Sequence, residues 1–227
     1  MNLERMVWFY DYQSRLLLCN HGRRSIEYVS EGGRVRETLI DRFDGLKFNS
    51  PNDIVAARDG HLFFTDPPYG LEGLNQSSLK ELDFNGVYHL TPNGQVSLID
   101  KTMTFPNGIA ISQDHKSLYV SQSDPKNPII MRFELDDNYN VVGKSVFFDF
   151  APFLNDDAHG LPDGMTLDES GNVITTGPGG IYVIDPNGQA FGRVKLDRAS
   201  SNCTFGEDGT VLFITNQDIL LLSLIHI

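Results

Sequence analysis

One phrase occurs three times in this chain with small changes: Ser50-Pro51-Asn52-Asp53-Ile54-Val55, Phe105-Pro106-Asn107-Gly108-Ile109-Ala110 and Leu161-Pro162-Asp163-Gly164-Met165-Thr166. Each sets a proline and an amide or carboxylate side chain ahead of an apolar run, and about eight residues later a turn leads into a second run. Those second runs are His61-Leu62-Phe63-Phe64-Thr65, Ser117-Leu118-Tyr119-Val120 and Asn172-Val173-Ile174-Thr175. A further hairpin completes the unit: Gly86 to Leu90 turns at Pro92-Asn93-Gly94 into Gln95 to Ile99, and Gly180 to Ile184 turns at Pro186-Asn187-Gly188. Ile129 to Phe133, with Asp136-Asp137-Asn138 after it, is the same element in the unit between. Four short strands recurring at a fixed interval, with little helical periodicity anywhere, predict an all-β propeller in which each unit is one blade.

Two weaker units flank these three. Ser201-Asn202-Cys203-Thr204-Phe205 leads through Gly206-Glu207-Asp208-Gly209 into Val211 to Thr215, with Asn202 in or beside the marker slot. Near the start, Val7 to Tyr10 and Arg15 to Cys19 pair across a turn at Ser14, which puts Met6 in the slot. That makes about five blades in 227 residues. At ~40 to 50 residues per blade a six-bladed ring needs roughly 240 to 300. The expectation is an incomplete ring, one blade short and truncated at its amino terminus. The tail Leu220 to Ile227 lacks the alternation and turn of a closing strand, so its last residues are expected to be foreign to the fold.

No Pro-, Gly- or Ser-rich linker divides the chain, and residues 1–227 read as a single propeller domain. The 18 basic and 30 acidic residues give a net charge of -12, with no basic cluster beyond Arg23-Arg24, which argues against a nucleic-acid partner. Cys19 and Cys203 have neither metal-ligand spacing nor nearby histidines and read as small buried hydrophobes. The longest apolar run, Ile219 to Ile227, is far too short for a membrane span, and Met1 to Arg5 lacks the apolar stretch of a signal peptide. A cytoplasmic location is favoured, with a periplasmic or secreted one left open if a leader precedes Met1.

In a propeller the innermost strands line the central axis, so residues at equivalent mouths point toward one another. Asn52, Asn107 and Asp163 would then converge. Two amide oxygens and a carboxylate are hard donors, without imidazole or thiolate, and suit Ca²⁺ far better than zinc or copper. Taken singly, each slot is more often an ordinary turn than a ligand, and this chain uses Pro-Asn-Gly as a turn at Pro92 and Pro186. The shared register ahead of matching strand pairs reverses that weighting for the set. His21, at a strand end, and Tyr69, opening a long loop, are candidates to line a pocket, and His159 has similar standing. No nucleophile elbow, phosphate-binding loop or zinc signature occurs.

As a set, Cys19-Asn20-His21-Gly22-Arg23-Arg24, Asn49 to Val55, Phe63-Phe64-Thr65-Asp66-Pro67-Pro68-Tyr69-Gly70, Phe105 to Ala110 and Leu161 to Met165 resemble the gluconolactonase/regucalcin (senescence marker protein) family. These are calcium-dependent six-bladed propellers, and the likeness is nearest to bacterial gluconolactonase-type sugar lactonases. The resemblance implies that Asn52, Asn107 and Asp163 bind calcium or another divalent cation, that Asp163 is also the catalytic acid/base, and that Ser50, Asp53, His21 and Tyr69 face the substrate. The family's fourth ligand, a glutamate in a Glu-Gly-Pro phrase on the first strand, has no counterpart here.

The chemistry implied is hydrolysis of a small-molecule lactone, with a metal-polarised carbonyl and water activated by Asp163. Two other readings stay open. One is a non-catalytic propeller that binds a ligand or partner around a structural calcium; the other is an esterase or phosphotriesterase on the same scaffold.

Overall fold

The computed structural model describes residues 6–11, 13, 15–30, 36–155, 157–207 and 209–224. Residues 1–5, the turn residue Ser14, the side chain of Met6 and residues 225–227, on which part of the sequence reading falls, lie outside this description. The chain packs as two compact units, Met1–Ile109 and Ala110–Ile227.

In the first unit, β1 (Met6–Tyr10), β2 (Leu16–Asn20), β3 (Ser25–Val29) and β4 (Arg36–Ile40) form an antiparallel sheet in sequence order. A two-residue hairpin, β5 (Arg42–Phe43) with β6 (Leu46–Lys47), leads to the second sheet. That sheet comprises β7 (Ile54–Ala56), β8 (Leu62–Asp66), β9 (Gly86–Leu90) and β10 (Val96–Asp100), again paired in sequence order. The register sets Phe64 opposite Tyr88 and Phe63 opposite His89. Phe48 meets Phe64 edge-on at 5.2 Å and Tyr88 at 5.1 Å between ring centroids, which makes an aromatic knot at the centre of the core.

β11 (Pro106–Ile111) begins in the first unit and ends in the second. There follow β12 (Ser117–Gln122), β13 (Ile129–Leu135) and β14 (Val141–Asp149). The next sheet holds β15 (Met165–Leu167), β16 (Val173–Gly177), β17 (Gly180–Ile184) and β18 (Ala190–Lys195). The last holds β19 (Asn202–Gly206), β20 (Val211–Asn216) and β21 (Ile219–Leu224). In the second unit Phe150 packs edge-on against Tyr182 at 5.1 Å, and Ile174, Ile181, Cys203, Leu212 and Ile214 form a further cluster.

Every expected blade is present, and all are antiparallel meanders. The first is more complete than its sequence suggests, with four strands rather than one recognisable pair. The tail departs from the sequence reading as far as residue 224, while 225–227 lie outside the described residues. Residues 219–224 pair along the whole of β20, after a turn in which Gln217 adopts φ 55°, because ladder bonds and the packing of Leu221 on the last cluster compensate for the missing alternation. Cys19 and Cys203 are free and buried, as the sequence implies.

Candidate active site

Asn52 and Asn107 stand 55 residues apart in sequence and meet: Asn52 Nδ2 donates to Asn107 Oδ1. Pro51 and Pro106 fix the entry to each slot and withhold a backbone donor there. Thr65, on β8, sits behind both asparagines. Its main-chain oxygen accepts the Asn52 N–H at 2.9 Å, and its hydroxyl donates to the main-chain oxygen of Asn107 at 2.6 Å. The same Oγ1 accepts the Asp53 N–H at 3.2 Å.

Asp53 is buried, and both of its oxygens serve the backbone: Oδ1 accepts from Ile54 N at 2.9 Å and Oδ2 from Ile109 N at 3.0 Å. Burial pushes its carboxyl up to about 6, and the two N–H donors only partly offset that.

A second polar group holds the long loop between β8 and β9. The buried Asp66 carboxylate accepts the N–H groups of Asn49 at 2.8 Å and Ser50 at 2.7 Å, and desolvation raises it to about 7. Ser50 Oγ donates to Pro67 O at 2.6 Å and accepts the Gly70 N–H at 2.8 Å, so Ser50 is a clasp on its own chain with no exposed surface. Gly70 is wedged between Ser50 and His21, where a Cβ would stand 2.7 and 2.8 Å from their Cβ atoms. His21 is therefore beside the loop, buried, and Tyr69 is half-buried with its ring stacked on Phe105 at 6.0 Å. Farther along, the Lys80 ammonium donates to Asn49 Oδ1 at 3.1 Å, Leu82 O at 2.7 Å and Phe84 O at 2.6 Å. All three of its N–H bonds are used.

In the second unit Asp163 precedes β15 and is half-buried. Its N–H donates to Thr176 Oγ1 at 2.8 Å, and its main-chain oxygen accepts from the hydroxyl of Ser121, on β12, at 2.7 Å. Ser123 Oγ donates to Pro162 O. Gly164 donates to Ser201 O at 2.9 Å and abuts Asn202, whose Oδ1 would be 2.1 Å from a Cβ at position 164. Asn202 therefore lies next to the Asp163 slot, as its place in the repeat suggests. His159 is exposed and joins the structure through its carbonyl, which accepts from Gly179 N at 2.7 Å.

Asn52, Asn107, Asp53, Ser50, His21 and Tyr69 are thus gathered within the first unit, and Asp163 is framed within the second. Thr65, Ser121, Thr176, Asp66 and Lys80 escaped the sequence reading. The one available signal was a hydroxyl at a constant offset in the second strand of three units: Phe64-Thr65, Val120-Ser121, Thr175-Thr176.

The donor set supplies the test of fit for a metal. Among the described residues no three or more His, Cys, Asp or Glu side chains form a metal-binding group. What the slots provide is amide and carboxylate oxygen: Asn52 Nδ2 now meets Asn107 Oδ1, and a half-turn of the Asn52 carboxamide would give up that bond and turn its oxygen toward Asn107 Oδ1, an arrangement two acceptors hold only around a cation. Hard oxygen donors of this kind fit calcium.

Residues 4–218 match the family described as SMP-30/Gluconolactonase/LRE-like region. A gluconolactonase of Zymomonas mobilis is 39% identical over 204 residues, 88% of this chain and 57% of that relative, so the chain spans less than two thirds of the relative's length. A gluconolactonase structure from Xanthomonas campestris superposes with a TM-score of 0.83 at 34% identity, over 96% of this chain and 71% of that one. Regucalcin from Agrobacterium tumefaciens, a calcium-binding protein, gives 0.71 at 19% identity over 93% and 68% of the two chains, a likeness of fold alone. With the marker slots heading successive blades and the match running nearly end to end, the chain belongs to the SMP-30/gluconolactonase/LRE-like family and has its β-propeller fold.

Proposed function

We propose that this chain hydrolyses a sugar lactone of the aldonolactone type at a site where Asn52, Asn107 and Asp163 hold a divalent cation, calcium by the chemistry of its donors. The observation that carries this reading is the meeting of the Asn52 and Asn107 carboxamides, Nδ2 of the first donating to Oδ1 of the second, from two slots whose backbones are both held by the buried Thr65. Likeness to the Zymomonas mobilis gluconolactonase supports the choice of substrate class.

A bound cation of this kind polarises the lactone carbonyl and stabilises charge that develops on its oxygen. Asp163 takes a proton from the water that attacks the carbonyl carbon. The ring C–O bond then breaks, and the departing oxygen receives that proton, which leaves an open-chain hydroxy acid. No bond to the protein forms. Tyr69 and His21 border the substrate from the loop side, while Ser50 and Asp53 hold the strands and loops that carry the site.

The test is acid release from glucono-1,5-lactone and from five-carbon lactones, followed at constant pH against the spontaneous rate. Acceleration that is abolished by a chelator and restored by calcium, but not by zinc, supports the proposal. A rate no faster than the spontaneous one with calcium present overturns it.

A further inference from the structure

Thr65 and Ser121 occupy the same place in their blades, one residue past the apolar core of the second strand, and both are completely buried. Each hydroxyl leaves its own sheet and donates to the main-chain oxygen of the marker residue heading the next blade: Thr65 to Asn107 at 2.6 Å, Ser121 to Asp163 at 2.7 Å. Two instances in two separate units make this a repeated device rather than a local accident. Thr65 goes further, because its backbone also fixes the other asparagine through the Asn52 N–H.

We infer that Thr65 and Ser121 are positioning residues, which set where the side chains of Asn52, Asn107 and Asp163 stand by pinning the backbone of those slots. The physical reason is the edge geometry of the slots. Asp163 lies outside the ladder of β15, so its N–H and C=O have no strand partner and are satisfied by two hydroxyls, from Thr176 and Ser121. Both backbone ends of the residue are thereby tied. At Asn107 the hydroxyl of Thr65 holds the carbonyl while the Asp53 carboxylate holds the N–H two residues on.

The effect on cation binding rests on the site proposed above; the positioning itself does not, and the test separates them. Thr65→Val keeps the shape and removes the hydroxyl, and Thr65→Ser restores it. The side-chain amide NMR signals of Asn52 and Asn107 in the metal-free protein should shift in Thr65→Val and return in Thr65→Ser. Calcium affinity by calorimetry should fall about tenfold or more in Thr65→Val and in Ser121→Ala, as expected for lost outer-shell support, and stay near the parent value in Thr65→Ser and Ser121→Thr. Ser25→Ala removes an equally buried hydroxyl, bonded to Glu27 in the first blade, and should lower stability while leaving affinity alone. If Thr65→Val does not fold, Ser121→Ala decides. Unmoved asparagine signals together with parental calcium affinity in Thr65→Val would overturn the inference. A parent that binds no calcium would remove the cation site while the amide signals still judge the positioning.

Discussion

Asp53 Oδ2 accepts the main-chain N–H of Ile109 at 3.0 Å, a bond that ties the head of β7 to β11 across 56 residues of sequence. The other oxygen takes Ile54 N at 2.9 Å. An asparagine offers one acceptor and one donor group where two N–H groups point in. Asp53→Asn should therefore destabilise the fold by about 1 to 3 kcal/mol, read as a lower midpoint with unchanged slope in urea. Parental stability would show that the two bonds have substitutes.

Stability should respond to pH through two opposed groups in one sheet. Burial raises the Asp66 carboxyl from 3.8 to about 7, so the folded chain keeps a proton that the unfolded chain has released; this contribution is full below about pH 4 and is lost as pH rises to 7. His89 runs the other way. Burial and the neighbouring His61, whose Nδ1 lies 2.6 Å from His89 Nε2, lower it from 6.5 to about 4, so its contribution is full above 6.5 and is lost as pH falls to 4. As pH rises from 4.5 to 6.5, His89→Phe, which keeps a ring stacked on Phe63, should lose stability more steeply than the parent, by up to about 1.4 kcal/mol per unit, because the Asp66 loss is no longer offset. Denaturation curves every half unit give the two slopes, and equal slopes would rule out a titrating His89.

Gly70→Ala tests the clasp at the start of the long loop. Its Cβ has no room between Ser50 and His21, and neither neighbour is the flexible end of a side chain. The expected result is a loss of about 1 to 3 kcal/mol and a raised KM, because Tyr69 is the adjacent residue and moves with the loop. A variant with parental melting and KM would mean that the loop gives way without consequence.

On the proposed mechanism, Asp163→Asn retains an oxygen donor and both backbone anchors but removes the base. Lactone turnover at saturating calcium should drop by at least about 10²-fold, with folding spared. Turnover equal to the parent's would leave Asp163 a ligand only and favour the non-catalytic reading.

Much of the fold was legible because its signals are punctuation. Pro-Asn-Gly at 92–94 and 186–188 marks turns that do form, and runs such as Leu62-Phe63-Phe64 are strands where expected. The candidate residues were legible for the same reason, since Asn52, Asn107 and Asp163 repeat in register. The supports were not. A threonine in a strand is ordinary β sequence, and nothing local shows whether the hydroxyl of Thr65 meets its own sheet or Asn107. Asp66 and Lys80 carry no local signal of their role, because their partners, Asn49 and Phe84 among them, come together only through the fold of the loop. β21 was missed because its run of leucines lacks alternation, while its pairing depends on β20.

Lys80 gives the loop between β8 and β9 a cation that is covalently attached. Its ammonium collects Asn49 Oδ1, Leu82 O and Phe84 O much as a small ion would, and it cannot diffuse away. A chelator that strips soluble metal should therefore leave this loop ordered. Acetylation of Lys80, which removes the charge and two of the three donors, should free the loop while the Asn52–Asn107 pair stays closed. On the proposed reading the loop and the asparagine pair answer to different reagents, one to lysine chemistry and the other to free calcium.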